Sequence, residues 1–398
     1  MAKKKRLARL RNFFRRRRTL VAPAPDDAVV AIDFGTASIR VGARIGADRP
    51  FSVPLGRTMS WLPTSVGFDP QRGLVVGERT EALPPDRVIT SVKSAITTGT
   101  TTVSVADEDG HPQAIEADLV IELLLRQTID RIQVREPTLL QNATIKMACP
   151  AIWDTARRAR LARIARRVGL PVEADDLIDE PSAAGAALFH LRREAGLAPP
   201  SGQVLLVDAG GGTLDVAVLF IEANGADAEL ETVAVHGSDQ AGDAMDACVA
   251  STLRLRSDAK ASNVISRHRN QATDALLQRA SRELKEELSE SDRAERPLFG
   301  TDQVVALTRA ELDMAVAPVV DSLRRTVGDL LLAARGEAIG GPWEHLAPEI
   351  DLVQLAGGAT RVRAIQAELE RLFPHATVGP DPILDAPEEA VVAGLTFC

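Results

Sequence analysis

An apolar run that carries an aspartate into a glycine-threonine turn occurs twice in this chain, and no other feature narrows its fold so far. The first copy is Val29-Val30-Ala31-Ile32-Asp33-Phe34-Gly35-Thr36-Ala37-Ser38. The second is Val204-Leu205-Leu206-Val207-Asp208-Ala209-Gly210-Gly211-Gly212-Thr213-Leu214-Asp215. Each predicts a strand whose tip sets a carboxylate suited to Mg²⁺ beside backbone N–H groups suited to phosphate oxygens. A third run, from Asp351 to Arg361, ends in Gly357-Gly358 and opens a helical pattern at Val362, Ile365, Leu369 and Leu372. Its backbone can approach a purine or ribose with no Cβ in the way. One Asp-Gly-Thr tip in each half of the chain is what a two-lobed clamp on a triphosphate and its metal requires.

With 398 residues, 45% of them hydrophobic, the chain can bury two sizeable cores, and its alternating strand and helix patterns predict α/β lobes. No apolar run approaches the ~20 residues of a membrane span. Cys149, Cys248 and Cys398 are scattered without metal-ligand or redox spacing, which suits a reducing cytoplasm. The six histidines show no metal spacing either, and no nucleophile-elbow pattern supports Ser-His-Asp chemistry.

The net charge of −8 conceals a division. Residues 1–20 hold ten bases (Lys3, Lys4, Lys5, Arg6, Arg9, Arg11, Arg15, Arg16, Arg17, Arg18) and no acid, leaving 37 basic and 55 acidic residues in the rest. The tail therefore reads as a separate basic module, with Leu7, Leu10 and Phe14 at roughly helical spacing, joined to the body by a Pro/Ala/Asp linker. A basic amphipathic helix of this kind predicts contact between residues 3–18 and an anionic membrane; a solvated arm and a nucleic-acid contact are the alternatives. No apolar segment follows the bases, which argues against a secretory signal peptide.

Along the body, residues 28–45 predict a hairpin, Ala117–Arg131 a helix, Ala143–Ala148 a buried strand ending at Cys149-Pro150, and Asp154–Val168 an arginine-rich helix. That helix lacks interleaved aromatic residues, so it reads as a solvated face rather than a nucleic-acid surface. A small-residue helix follows Asp179-Glu180-Pro181, and its Ala/Gly composition permits backbone-to-backbone packing at a crossing between lobes. Helical patterns then run from about 243 to 291 and over 308–336, the latter opened by a capping box at Thr308-Arg309-Ala310-Glu311.

At these residues the chain resembles the nucleotide-binding domain of the 70-kDa heat-shock chaperones, within the actin, sugar-kinase and heat-shock superfamily. The likeness covers residues 28–398. Ile32–Thr36 resembles the first phosphate loop, Val207–Asp215 the second, and Ala356–Arg361 the adenosine motif. Asp179–Ala184 and Ala386–Gly394 are similar to the two connecting helices, and Lys285-Glu286-Glu287-Leu288-Ser289 to the helix flanking adenine. The likeness implies an α/β two-lobed actin-like ATPase fold, each lobe a mixed sheet flanked by helices about a central cleft. Its expected divisions are a tail and linker at 1–27, lobe I at 28–200, lobe II at 201–380, and a connecting helix at 381–398 returning to lobe I. It also implies that Pro150 and Arg158 relay nucleotide state. A lysine near the γ-phosphate is expected just after Val76-Gly77, where this chain has Glu81, and a carboxylate there would disfavour turnover. Neither the apolar interdomain linker nor the peptide-gripping β-sandwich is found before Cys398.

The resemblance, together with the residue types, implies the expected roles. Asp33 and Asp208 are the metal candidates, through waters; Glu180 is the candidate base for the attacking water, with Asp208 and Thr213 completing the catalytic set. Gly35, Thr36, Ala37, Gly210, Gly211, Gly212 and Thr213 are expected around the phosphates, although Ala37 replaces a hydroxyl common in the family. Gly357, Gly358, Ala359, Arg361 and Glu388 are expected along the nucleoside, with Lys285 and Ser289 meeting it from the opposite lobe. ATP or ADP with Mg²⁺ is thus the expected ligand set, and slow ATP hydrolysis coupled to lobe closure and a protein partner the expected activity. A pseudo-ATPase scaffold and an actin-like filament are the alternatives.

Overall fold

The computed structural model describes residues 16–20, 28–224, 227–258, 271–298, 303–380 and 387–398. Two mixed sheets organise it. In the first, the spatial order is Ile178–Asp179, Thr144–Cys149, Ala28–Phe34, Ser38–Ile45 and Phe51–Ser52. Thr144–Cys149 runs parallel to both its neighbours, while Ala28–Phe34 and Ser38–Ile45 form the expected antiparallel hairpin. The second sheet runs Arg16–Leu20, Asp227–Ser238, Leu214–Asn224, Gly202–Ala209, Leu352–Ala356 and Thr377–Gly379. Its pairings are antiparallel as far as Gly202–Ala209 and parallel beyond. Strands buried on both faces account for nearly continuous apolar runs such as Val204–Val207.

One apolar cluster backs each sheet, and a third lies between them. The third is built on the helix Glu180–Glu194, buried through its first twelve residues, and the short helix Ala390–Leu395. Small residues let these helices meet backbone to backbone. A Cβ at Gly394 would collide with the Ala183 carbonyl, and one at Gly185 would lie 2.8 Å from Leu219 of the second sheet. Gly42 of the first sheet faces Val392 from the other side. The site rests on this crossing, because Glu180 begins the longer helix.

Most local expectations match the elements observed: helices at Ala117–Arg135 and Thr155–Arg167, and a strand at Thr144–Cys149. Two differ. The helix expected over 308–336 is divided into Arg309–Ala315 and Ala317–Arg335, because Pro318 removes a backbone donor in the opening turn of the second. The capping box at Thr308 is present. The basic tail also departs from a continuous helix. Arg16–Leu20 is a strand, with Arg16 opposite Thr232 and Leu20 opposite Ala228, so it pairs with backbone groups that an edge strand would otherwise leave open. Leu7, Leu10, Phe14 and the linker lie outside the described residues, as do residues 259–270 within the 243–291 helical region. Among the described residues no helix is long and apolar enough to cross a membrane.

Replacing Gly394 with valine should separate the crossing helices and destabilise the protein by at least about 2 kcal/mol, measured by urea denaturation. An unchanged midpoint would show that the crossing tolerates a side chain.

Candidate functional site

The two Asp-Gly-Thr copies form similar hairpin tips. In the first, the Gly35 N–H donates to the Ser38 carbonyl at 3.0 Å; in the second, the Gly210 N–H donates to the Thr213 carbonyl at 3.0 Å. Asp33 pairs in register with Arg40 and Asp208 with Asp215, so each tip sets an acid opposite a second ionisable residue. The tips touch. A Cβ at Gly211 would lie 3.2 Å from the Ala37 Cβ, and one at Gly212 would lie 2.8 Å from the Thr36 methyl. Thr64 braces the first tip, its hydroxyl donating to the Gly35 carbonyl at 2.9 Å and its N–H to the Ala37 carbonyl at 3.0 Å.

The third glycine turn follows Leu352–Ala356, which lies beside Gly202–Ala209 with Ala356 opposite Asp208. Gly357 has φ +77°, and a Cβ there would strike both the Ala209 carbonyl and the Asp208 carboxylate, so glycine is needed for conformation and for space. Arg361 meets Glu388 through two hydrogen bonds, each 3.2 Å, and Arg40 lies 3.8 Å from the same carboxylate.

These loops line a cleft of about 920 Å³, at the upper end of the range for small-molecule sites. The expected phosphate and nucleoside residues line it, except Gly212, which lies against Thr36. Lys285 is buried at the wall rather than solvated; its ammonium lies 2.7 Å from Asp246 and 3.1 Å from the Gly242 carbonyl. Ser289 also lines the cleft and donates to the Lys285 carbonyl. Pro150 and Arg158 do not line it. The Arg158 guanidinium donates to the carbonyls of Trp153 and Leu177, bracing the segment that leads into Glu180, and the Trp153 N–H donates to the Pro150 carbonyl.

Four carboxylates lie close together at the base of the cleft: Asp33, half-buried, and the buried Glu180 and Asp208 line it, and the buried Asp215 sits behind them. Glu180 is placed by Ile178–Asp179, which pairs beside Cys149, and by the Asp179 side chain, which caps the helix by accepting from the Ser182 N–H at 2.9 Å. Burial raises the pKa of Asp33 to about 6 against the opposing pull of Lys93, and it raises Asp215 to about 7 with the Glu180 charge adding to the effect. Asp208 is raised well above the usual carboxylate range by burial and by Glu180, Asp215 and Asp33. Neither Asp215 oxygen has a well-formed hydrogen bond, although Thr213 and the Ala151 backbone lie near enough to oppose the rise. A concentration of negative charge with unused oxygen lone pairs fits a hard divalent cation.

The sequence reading missed Lys93. It is 4% exposed, its ammonium donates to Glu180 Oε1 at 2.7 Å, and the Trp153 ring lies beneath it at 5.8 Å. Its charge is favoured by Glu180, Asp33 and Asp215 against the cost of burial. Glu81, in the position expected for the family's lysine, also lines the cleft, but it does not leave the carboxylates without a cation. The available signal was a lone lysine among the buried residues Val92, Ala95 and Ile96. Among the described residues the one set of three acids or histidines whose ligand atoms lie within 4.8 Å of one another is Asp107, Asp109 and His111, in a hairpin turn where Asp107 already accepts backbone N–H groups from Asp109 and His111.

Two mixed sheets joined by a small-residue helix crossing, with paired hairpin tips facing one cleft, define the actin-like ATPase fold. The chain belongs to the Hsp70 family, whose Hsp70 protein domain matches residues 30–396. The chaperone protein DnaK of Thermosipho africanus (strain TCF52B) is 28% identical to it over 387 residues, which cover 92% of this chain and 58% of that protein. The chain thus spans under three-fifths of that relative's length.

The raised Asp215 pKa carries a pH dependence. A carboxyl that holds its proton more tightly when folded loses stabilising effect as pH climbs from its unfolded value near 4 towards 7. In EDTA, Asp215→Asn should therefore stabilise the protein increasingly between pH 5 and pH 8, reaching about 2 kcal/mol in urea titrations. A benefit independent of pH would contradict this assignment.

Proposed function

We propose that this chain binds ATP and ADP with Mg²⁺ in the cleft and hydrolyses ATP slowly, lobe closure altering a surface that a protein partner recognises. The observation that carries the reading is the convergence of four carboxylates, three of them buried, on two glycine tips whose backbones face the same space. Asp33 and Asp208 would hold the metal, which would supply positive charge to offset that of the phosphates. Gly35, Thr36, Ala37, Gly210, Gly211 and Thr213 hold the phosphates, with Asp208 and Thr213 close to the reacting group. Glu180 orients and deprotonates the attacking water. Gly357, Gly358, Ala359 and Arg361 lie along the nucleoside, with the Arg361 guanidinium held by two hydrogen bonds to Glu388; Lys285 and Ser289 face it from the other wall.

Closure is supported by contacts across the cleft. Ser91 donates to Asp243 at 2.5 Å, and Arg279 donates to the Glu81 carbonyl at 3.0 Å. Both depend on how the lobes approach each other.

Calorimetry should find ATP and ADP binding that EDTA weakens, with a rise in melting temperature. Absence of heat and of any shift at millimolar ATP·Mg²⁺ would end the proposal. Gly211→Val should abolish binding, because its side chain would press on the first tip. Glu180→Ala and Asp208→Asn should each lower single-turnover hydrolysis at least about tenfold while most affinity remains.

The ten bases of the N-terminal segment support a further part of the reading, peripheral contact with anionic lipid. Changing Lys3, Lys4, Lys5, Arg6, Arg9 and Arg11 to glutamine leaves the Arg16–Leu20 strand intact. It should abolish cosedimentation with anionic vesicles in the presence of competing RNA; equal pelleting of both proteins would refute the contact.

A further inference from the structure

One cation in the cleft stands apart from the glycine tips and from the lysine among the carboxylates: Arg40, on the strand Ser38–Ile45. Ile39 and Val41 are fully buried in the core behind the first sheet, so strand alternation turns Ser38 and Arg40 to the opposite face, where both line the cleft. Ile39 pairs with Phe34 on one side and with Leu62 on the other, which fixes the backbone that carries Arg40. Arg40 itself stands opposite Asp33, and its charge acts on that carboxylate against the effect of burial.

What distinguishes Arg40 is the state of its donors. Its side chain is 12% exposed, and its ion pairs with Glu388 and Glu389 are 3.8 and 3.6 Å long, past hydrogen-bond reach. Among the described residues none of its N–H groups makes a hydrogen bond. Other cations of the cleft are closely held. Lys93 donates to Glu180 at 2.7 Å and Arg282 to Asp243 at 2.8 Å, while Lys285 lies 2.7 Å from Asp246. Glu388 already accepts two hydrogen bonds from Arg361, so it does not need Arg40 to satisfy it. A guanidinium nearly withdrawn from solvent, with open donors and a cleft before it, fits an anion.

Its place in the cleft decides which anion. Arg40 stands between Asp33, beside the glycine tips, and Glu388, beside the turn that carries Arg361. A nucleotide with its terminal phosphate at the tips and its nucleoside along Gly357–Arg361 brings its inner phosphates between the two. We infer that Arg40 is a diphosphate-binding residue, its guanidinium donating to the α- and β-phosphate oxygens that ATP and ADP share, with Glu388 and Glu389 holding it in place. The inference rests on the nucleotide reading above. A contact common to both nucleotides adds affinity without favouring ATP, and it slows the departure of ADP.

The test uses the full chain and compares wild type, Arg40→Gln, Arg40→Lys, Glu388→Gln/Glu389→Gln, and the triple variant that adds Arg40→Gln to that pair. Affinities for ADP·Mg²⁺, ATP·Mg²⁺ and adenosine are measured by calorimetry, and ADP release by stopped flow. Arg40→Gln should weaken ADP and ATP by the same factor, at least about tenfold, and speed ADP release about as much, while adenosine changes by less than about threefold. General loss of structure would not spare adenosine. Arg40→Lys should weaken both nucleotides about threefold, since an ammonium cannot offer two parallel N–H groups to a phosphate. In the Glu388→Gln/Glu389→Gln background, Arg40→Gln should still weaken ADP by the factor it costs in the wild type.

A loss that disappears in that background would show that Arg40 acts by neutralising two acids, and would overturn the direct contact. A loss shared equally by adenosine, or one confined to ATP, would overturn it too. Should Arg40→Gln fail to fold, Arg40→Lys decides: unchanged ADP affinity and release would overturn the assignment while leaving nucleotide binding intact. A wild-type protein that binds neither nucleotide would overturn both this inference and the function on which it rests.

Discussion

Four carboxylates confined around one lysine are the constraint to which the rest of the molecule answers. Buried acids repel one another and lose hydration, and here desolvation pushes Asp33, Asp208 and Asp215 upward together. Such an arrangement persists only if surrounding structure holds it. The two sheets do so by ending in hairpin tips that touch, and the crossing of Glu180–Glu194 with Ala390–Leu395 holds them at close range. The cleft combines a well-packed foundation with an electrostatically costly floor, a combination suited to taking up a cation and a polyanion together.

Much of this was legible in the residues. The Asp-Gly-Thr copies could be read because the requirement is local: a strand must stop, a glycine must turn, and a carboxylate must remain at the tip. Gly357 was legible for the same reason, although the collision of any side chain there with Asp208 appears only once Leu352–Ala356 is placed beside Gly202–Ala209. The alanines and glycines after Glu180 likewise announced close helix packing without naming Gly394 as the partner.

Lys93 was not legible, since nothing within a few residues of it mentions Glu180; their meeting depends on folding 87 positions of chain between them. Reading Glu81 as a missing cation assumed that a charge must come from one place in the chain, whereas electrostatics requires only a place in space. The Arg16–Leu20 strand escaped for a related reason. Its bases suggested a free arm, while its conformation depends on an open sheet edge more than two hundred residues away. The Pro318 division, by contrast, could be seen locally but was outweighed by apolar periodicity.

That edge strand also bears on the order of events during synthesis. Residues 16–20 leave the ribosome before either sheet exists, yet their partners, Ala228 to Thr232, arrive only after the strands of the first sheet have been made. A strongly basic segment must therefore remain unpaired while more than two hundred further residues are made and join the second sheet after Asp227–Ser238 has emerged. Loop closure of that length adds little equilibrium cost but delays the pairing. Arg16–Leu20 thus joins its sheet long after it has been made, and whatever holds this segment in the interval competes with completion of the second sheet.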